Sequence, residues 1–233
     1  MYKNLIILLL FISQYSFSQK EVNGNYENVL TVKENISFAL HIPKDVQEKK
    51  PLIVFIPGDG EKGTDLEKVK IHGPFKYLKT HELDSYILAP QCLETQNWNI
   101  DLIYKLIQTV LAENNIDANR IYLTGLSSGG WATWNLGIEH PELFAAIVPI
   151  SSFVDLIEMD YICKVAAIPT QIFHGLLDDT VKVDYVIDVY KALKKCDANV
   201  KLTIFDDANH DSWSRVYDNQ QIYDWMFQQV KKQ

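Results

Sequence analysis

Short runs of almost wholly apolar residues are spaced along the chain, and they constrain the fold more than any other feature. Such runs are typical of strands that are buried on both faces of a parallel sheet. An alternating run at 36–42 predicts one more strand near the start of the chain. The apolar runs occupy residues 51–56, 85–90, 120–125, 145–150, 169–175 and 200–205.

Helical patterns separate these strands. Residues 100–113, 183–193 and 214–230 each carry apolar side chains at the spacing of one helix face. Strands that alternate with helices predict an α/β fold, with a mostly parallel central sheet and helices on both faces. The connection between 150 and 169 spans only about 18 residues, which is too short for a large lid. In such folds the functional groups lie beyond the carboxyl ends of the strands.

Composition limits the class of protein. The chain has 233 residues, of which 47% are hydrophobic and 22% charged, as expected for a globular domain. Its formal net charge of −8 argues against nucleic acid as a partner. No internal repeat or low-complexity linker divides it.

The first residues have the layout of a secretory signal peptide. A single early lysine is followed by an apolar run from Leu5 to Ile12 and then by small and polar residues. We expect a signal peptide over residues 1–18 and a single domain over residues 19–233. The protein is then secreted or periplasmic, without a membrane anchor after cleavage.

Cysteine usage is compatible with export. The chain has three cysteines, so at least one thiol stays unpaired within the chain. The predicted topology places Cys163 and Cys196 at the amino-end edge of the sheet and Cys92 at the opposite edge. If a disulfide forms, this placement favours the pair Cys163–Cys196.

A candidate nucleophile follows the run at 120–125. The sequence Gly-Leu-Ser-Ser-Gly over 125–129 fits the pattern G-x-S-x-G, with Ser127 at its centre. The pattern places a serine on a strained turn between a strand and a helix. Small residues two places away on each side let those elements approach closely.

The groups that would activate this serine follow in the expected chain order of serine, acid and histidine. Asp178 and Asp179 follow the strand at 169–175, and His210 follows the strand at 200–205. Either acid is a candidate, and motif register favours Asp178. His174 precedes a glycine at a strand end and is interpreted as structural.

These segments together resemble the α/β-hydrolase superfamily. They are similar to its small esterases, grouped with dienelactone hydrolases, acyl-protein thioesterase-type carboxylesterases, polyhydroxyalkanoate depolymerases and feruloyl esterases. The resemblance rests on "PLIVFIPGDGEKGTDL", "IYLTGLSSGG", "FHGLLDDTVKV" and "ANHDSW". It implies that Ser127 is the nucleophile, Asp178 the acid and His210 the base.

The resemblance also implies an oxyanion hole formed by the backbone amides of Asp59 and Ser128. The family's loop usually reads His-Gly-x-Gly, whereas this chain has Pro57 in place of the histidine. The hydrogen bond that the histidine would supply is therefore missing. Trp98 and Trp213 are the candidate substrate-binding residues, because their loops face the predicted site.

The sequence thus predicts a secreted serine carboxylic-ester hydrolase. The implied mechanism uses neither a metal nor an organic cofactor. The expected partner is an ester substrate, either a small molecule or a polysaccharide-linked feruloyl or acetyl group. Two alternatives remain at this point, a serine peptidase of related fold and a catalytically impaired homologue that binds glycan.

Overall fold

A seven-stranded sheet forms the centre of the molecule, with strand order β1-β3-β2-β4-β5-β6-β7. The computed structural model describes residues 34–231, so the predicted signal peptide over 1–18 lies outside the described residues. Neighbouring strands run parallel except β1, which pairs antiparallel with β3. The strands are β1 (Ser37–His41), β2 (Lys50–Ile56), β3 (Tyr86–Gln91), β4 (Ile116–Leu126), β5 (Ala146–Ile150), β6 (Thr170–Gly175) and β7 (Val200–Phe205).

Helices cover both faces of this sheet, which confirms the predicted α/β architecture. The helices are α1 (Gly73–Tyr77), α2 (Ile100–Glu113), α3 (Ser128–Glu139), α4 (Leu156–Met159), α5 (Val183–Lys195), α6 (Trp213–Tyr217) and α7 (Gln220–Phe227). Buried residues of α2, α3 and α5 pack on one face, and those of α1, α6 and α7 pack on the other. Within the described residues, no helix has the length and apolar character needed to span a membrane.

The strand β4 contributes to both hydrophobic cores. Ile121 and Leu123 pack on the face that carries α2, α3 and α5, whereas Tyr122 packs on the opposite face. All three side chains are fully buried. This two-sided burial explains why the run reads as continuously apolar rather than alternating.

The end of the chain differs from the expectation. A single helical segment over 214–230 was predicted, and this is wrong, because α6 ends at Tyr217 and α7 spans only Gln220–Phe227. The Asn219 side chain accepts a hydrogen bond from the amide of Gln221 and caps the second helix. Asparagine favours such caps over helix interiors, since its side chain competes for backbone groups.

The connectivity creates a crevice next to β2. After β2 the chain forms β3 on one side of that strand, and it then crosses to form β4 on the other side. Ligands bind at such switch points in open α/β sheets, beyond the carboxyl ends of the strands. The loops that follow β2 and β4 are the segments that carry the predicted oxyanion amides and nucleophile.

The predicted disulfide pairing is confirmed. Cys163 and Cys196 form a disulfide with a Cα–Cα distance of 5.6 Å, and Cys92 is a free, buried cysteine. The bond links a short 3₁₀ turn, Ile162–Val165, to the end of α5. Cross-links that close loops of this kind typically stabilise a domain by about 2–4 kcal/mol, mainly by restricting the unfolded chain.

Candidate active site

Ser127 occupies a sharp turn between β4 and α3. Its backbone has φ 52° and ψ −122°, an uncommon conformation for a residue with a side chain. A Cβ atom at Gly129 would overlap the carbonyl oxygens of Ile56 and Pro57, and one at Gly125 would overlap the backbone of Gly129. The two glycines therefore let β2, β4 and α3 approach as closely as the motif predicts.

A continuous chain of hydrogen bonds joins the three residues that the sequence identified. The Ser127 Oγ atom lies 3.0 Å from His210 Nε2. On the other side of the ring, Nδ1 lies 2.8 Å from Asp178 Oδ2. Since a carboxylate only accepts hydrogen bonds, Nδ1 carries the proton and Nε2 is free to accept the serine proton.

The structure separates the two rival acids. Asp178 is buried, and its Oδ1 accepts hydrogen bonds from the amides of Thr180 at 3.0 Å and Val181 at 2.8 Å. Asp179 is exposed, and the side-chain hydrogen bond it makes is a local one with the Thr180 hydroxyl. Only Asp178 is brought into contact with His210.

His174 lies directly behind this acid. Its ring is fully buried, with Nε2 at 2.7 Å from the Val181 carbonyl oxygen and 3.2 Å from Asp178 Oδ2. Burial lowers the pKa of His174 below its usual value. The ring is therefore neutral, with its proton on Nε2, and it supports the Asp178 carboxylate rather than contacting the cavity.

Ser151, which sequence reasoning did not identify, fixes the loop that carries His210. Its hydroxyl donates a hydrogen bond to the His210 carbonyl oxygen at 2.8 Å and lies 2.8 Å from the Ser212 hydroxyl. It is fully buried and has φ 46°. The buried Ser151 hydroxyl thus holds the loop of His210 against the end of β5. A serine after a strand gives no distinctive sequence signal.

The two predicted oxyanion amides border the same cavity as Ser127. Asp59 begins a short 3₁₀ turn, Asp59–Glu61, and Ser128 is the first residue of α3. Within residues 34–231, neither amide donates a hydrogen bond to another protein group. Both N–H groups thus lack a protein acceptor, as the donors of an oxyanion hole would in the absence of substrate.

The Asp59 carboxylate is neutralised at the cavity wall. Lys62 Nζ lies 2.7 Å from Asp59 Oδ1, and the lysine side chain is only 10% exposed. Burial acts to raise the pKa of Asp59, but the hydrogen bond from Lys62, the nearby Ser128 hydroxyl and the charge of Lys62 together outweigh it and lower that pKa. The ion pair explains how an acidic residue is accommodated beside a site that would bind negative charge.

The cavity has a volume of about 450 Å³ and an aromatic wall. Trp98, Trp131 and Phe153 line it together with Ser127. The predicted contact residue Trp98 therefore faces the candidate site. Trp213 does not line this cavity; its ring packs edge-on against His210, with 5.1 Å between the ring centroids.

A second carboxylate in this wall has an unused oxygen. Asp155 lines the cavity, and its Oδ2 accepts a hydrogen bond from Trp131 Nε1. No donor in the described part of the chain reaches Oδ1. Sequence reasoning missed Asp155, because a single acid in a loop after a strand resembles an ordinary solvated residue.

The sequence profile of phospholipases and carboxylesterases matches residues 88–223, which is more than half of the chain. The chain belongs to the phospholipase/carboxylesterase family. The resemblance to the small esterases of the α/β-hydrolase superfamily is thereby confirmed.

Relatives of this phospholipase/carboxylesterase family member agree with the assignment. A poly(3-hydroxyalkanoate) depolymerase C from Paucimonas lemoignei is 25% identical over 166 residues, covering 64% of this chain and 39% of its own. The crystal structure of a thermostable esterase is 31% identical with a TM-score of 0.71, covering 84% of this chain and 59% of its own. The chain therefore spans less than two thirds of either relative's length.

A more distant structure shares the fold alone. The acylaminoacyl peptidase of Pyrococcus horikoshii is 19% identical with a TM-score of 0.65, over 87% of this chain and 41% of its own. The α/β-hydrolase fold is thus common to proteins described as esterases and as peptidases. Fold alone does not separate these activities, so the choice between them depends on the site.

Proposed function

We propose that the protein is a serine carboxylic-ester hydrolase with Ser127 as nucleophile, His210 as base and Asp178 as the acid that orients the base. The observation that carries this proposal is the unbroken hydrogen-bond chain from Asp178 through His210 to Ser127, which ends at an open cavity. Family membership supports ester hydrolysis as the reaction.

In the first half of the proposed reaction, Ser127 Oγ attacks the ester carbonyl carbon and His210 Nε2 takes its proton. The Asp178 carboxylate stabilises the imidazolium that forms. The amides of Asp59 and Ser128 donate hydrogen bonds to the oxyanion of the tetrahedral intermediate. His210 then protonates the departing alkoxide, and an acyl-enzyme remains on Ser127.

Water completes the cycle by the same steps. His210 Nε2 takes a proton from the attacking water, and the oxyanion forms again in the same position. When this second intermediate collapses, the carboxylic acid leaves and the proton returns to Ser127 Oγ. The cavity side of Ser127 is open, so water enters without movement of a lid.

We propose that the substrate is an ester whose acyl or alcohol part carries an aromatic ring or hydroxyl groups. Examples are feruloyl or acetyl groups on cell-wall polysaccharide. Aromatic side chains in the cavity offer flat apolar surfaces, and Asp155 Oδ1 offers an acceptor for a hydroxyl group. A long alkyl chain beside this carboxylate would lack any group to bond with it.

A panel of esters tests this substrate class. We expect methyl ferulate and p-nitrophenyl acetate to be hydrolysed with kcat/KM at least about tenfold above that for p-nitrophenyl octanoate, because burying an alkyl chain against a carboxylate is unfavourable. Asp155→Ala should reduce kcat/KM for methyl ferulate by about three- to tenfold, the value of one hydrogen bond, and should affect the acetate less.

The exposed Asp160→Ala is the matched control for this variant, since it removes a nearby acid outside the cavity. A preference for octanoate, or equal effects of the two substitutions, would contradict the proposed class. A chromogenic peptide in the same panel checks the peptidase alternative.

We also propose that the protein is exported. Disulfides persist in oxidising compartments, so the bond between Cys163 and Cys196 is consistent with secretion or a periplasmic location. N-terminal sequencing of protein recovered from the periplasm or medium should give Gln19 as the first residue. An intact Met1 on the exported protein would rule out cleavage after Ser18.

A further inference from the structure

A buried acid in the loop after β2 has no part in the mechanism above. The Glu61 side chain is 7% exposed, and its Oε2 accepts a hydrogen bond from the Gly58 amide at 2.7 Å. Burial raises the pKa of Glu61. Burying a carboxyl group is unfavourable unless hydrogen bonds compensate, so the bonds that Glu61 makes indicate its role.

Glu61 closes the turn that contains Asp59. The Glu61 amide donates to the Gly58 carbonyl oxygen at 3.3 Å, while the Glu61 side chain accepts from the Gly58 amide. These two bonds bracket Asp59. Because a peptide plane is rigid, fixing the turn on both sides also fixes the direction of the Asp59 N–H group.

The far side of the same turn is tied to the sheet. Gln91, at the end of β3, donates from Nε2 to the carbonyl oxygens of Glu61 at 3.0 Å and Asp65 at 2.7 Å. The carbonyl oxygens of the turn are therefore anchored to β3. Within the turn, the Gly58 amide is held by the Glu61 carboxyl group.

The second oxygen of Glu61 faces the histidine side of the site. Oε1 lies 3.6 Å from His72 Nε2, and the His72 ring packs edge-on against Trp213 with 5.9 Å between centroids. Trp213 in turn packs against His210. Through His72 and Trp213, Glu61 thus links the proposed oxyanion loop to the aromatic ring that packs against His210.

We propose that Glu61 is a positioning residue for the oxyanion hole, holding the Gly58–Asp59 turn so that the Asp59 amide faces the cavity. The inference rests on the proposed ester hydrolysis. Glu61 supplies from within the loop a hydrogen bond to its backbone, in a loop that has Pro57 where related enzymes have histidine. The required property is an acceptor at the right reach, and negative charge is not required.

Three substitutions separate reach from charge. Glu61→Gln keeps an acceptor at the same distance without the charge, Glu61→Asp keeps the charge on a shorter side chain, and Glu61→Ala removes both. We expect Glu61→Ala and Glu61→Asp to lower kcat by about 100-fold, the loss typical of one oxyanion donor. KM should change little, and Glu61→Gln should keep most of the activity.

A trifluoromethyl ketone inhibitor provides a readout that a merely structural role would not change. It forms a hemiketal oxyanion on Ser127, so its inhibition constant should rise in proportion to the fall in kcat. Glu67→Ala is the control, because Glu67 is an exposed acid of the following segment that pairs with Lys70. Melting temperatures establish which variants are folded.

The outcomes are distinct from those of the proposed function. If wild type hydrolyses no ester, the proposed function fails. If wild type is active and Glu61→Asp keeps full kcat, the positioning role is overturned. The same conclusion follows if Glu61→Gln loses as much kcat as Glu61→Asp. Because the Gln and Asp variants are close in size to glutamate, they decide the question even where the alanine variant does not fold.

Discussion

Ser127→Ala should reduce kcat for p-nitrophenyl acetate by about 10⁵- to 10⁶-fold, the loss seen when a serine hydrolase loses its nucleophile. The substitution removes the Oγ atom that lies 3.0 Å from His210 Nε2, so no acyl-enzyme can form. Stopped assays at high enzyme concentration measure the residual rate. Labelling by a fluorophosphonate probe should be lost in parallel, because the probe reacts with the same oxygen.

Ser128→Ala is the matched control. Ser128 is expected to act through its amide, which alanine retains. Its hydroxyl is buried close to the Asp59 carboxylate, though without hydrogen-bond geometry. We expect kcat within about threefold of wild type, since little interaction energy is lost. Labelling that survives in Ser127→Ala and disappears in Ser128→Ala would reverse the assignment.

Asp178→Ala should lower kcat by about 10⁴-fold, and Asp179→Ala should leave it within about threefold. Asp178 bonds His210 Nδ1 at 2.8 Å, and its loss removes the group that holds the imidazole and stabilises its charged form. The exposed Asp179 has no contact with the ring. Steady-state kinetics on the same ester measure both variants.

Asp178 also holds its own loop through the amides of Thr180 and Val181, so alanine removes structural bonds as well. Asp178→Asn keeps an acceptor oxygen for one set of these bonds and should be nearly as inactive, because the carboxamide supplies no charge for the imidazolium. A larger loss in Asp179→Ala than in either Asp178 variant would show that the other acid orients the base.

The strands were predictable because burial on both faces leaves a direct sequence signal. Each apolar run corresponds to a strand, and the helix over 100–113 has the predicted bounds. β4 is longer than its apolar run, however, since it begins at Ile116 and includes polar residues up to Arg120. Lys50 of β2 pairs with Ile116, so a neighbouring strand extends β4 where side-chain pattern does not.

The candidate triad was predictable for a different reason. Its chemistry demands particular residue types after particular strands, and Ser127, Asp178 and His210 satisfy that demand. The residues that hold the histidine loop and the oxyanion turn were not predictable. Ser151 and Glu61 act through bonds to backbone atoms of other segments, and such partners become visible only when the chain is folded.

The turn at Ser127 implies that the molecule would be more stable with glycine in place of its candidate nucleophile. A side chain at φ 52° and ψ −122° costs about 1–3 kcal/mol relative to relaxed backbone, and alanine keeps that cost because it keeps a Cβ atom. Glycine at 127 would release it. The backbone conformation that exposes the Ser127 hydroxyl thus lowers the free energy of unfolding. Selection for thermal stability alone would replace this serine and leave a protein without its candidate nucleophile.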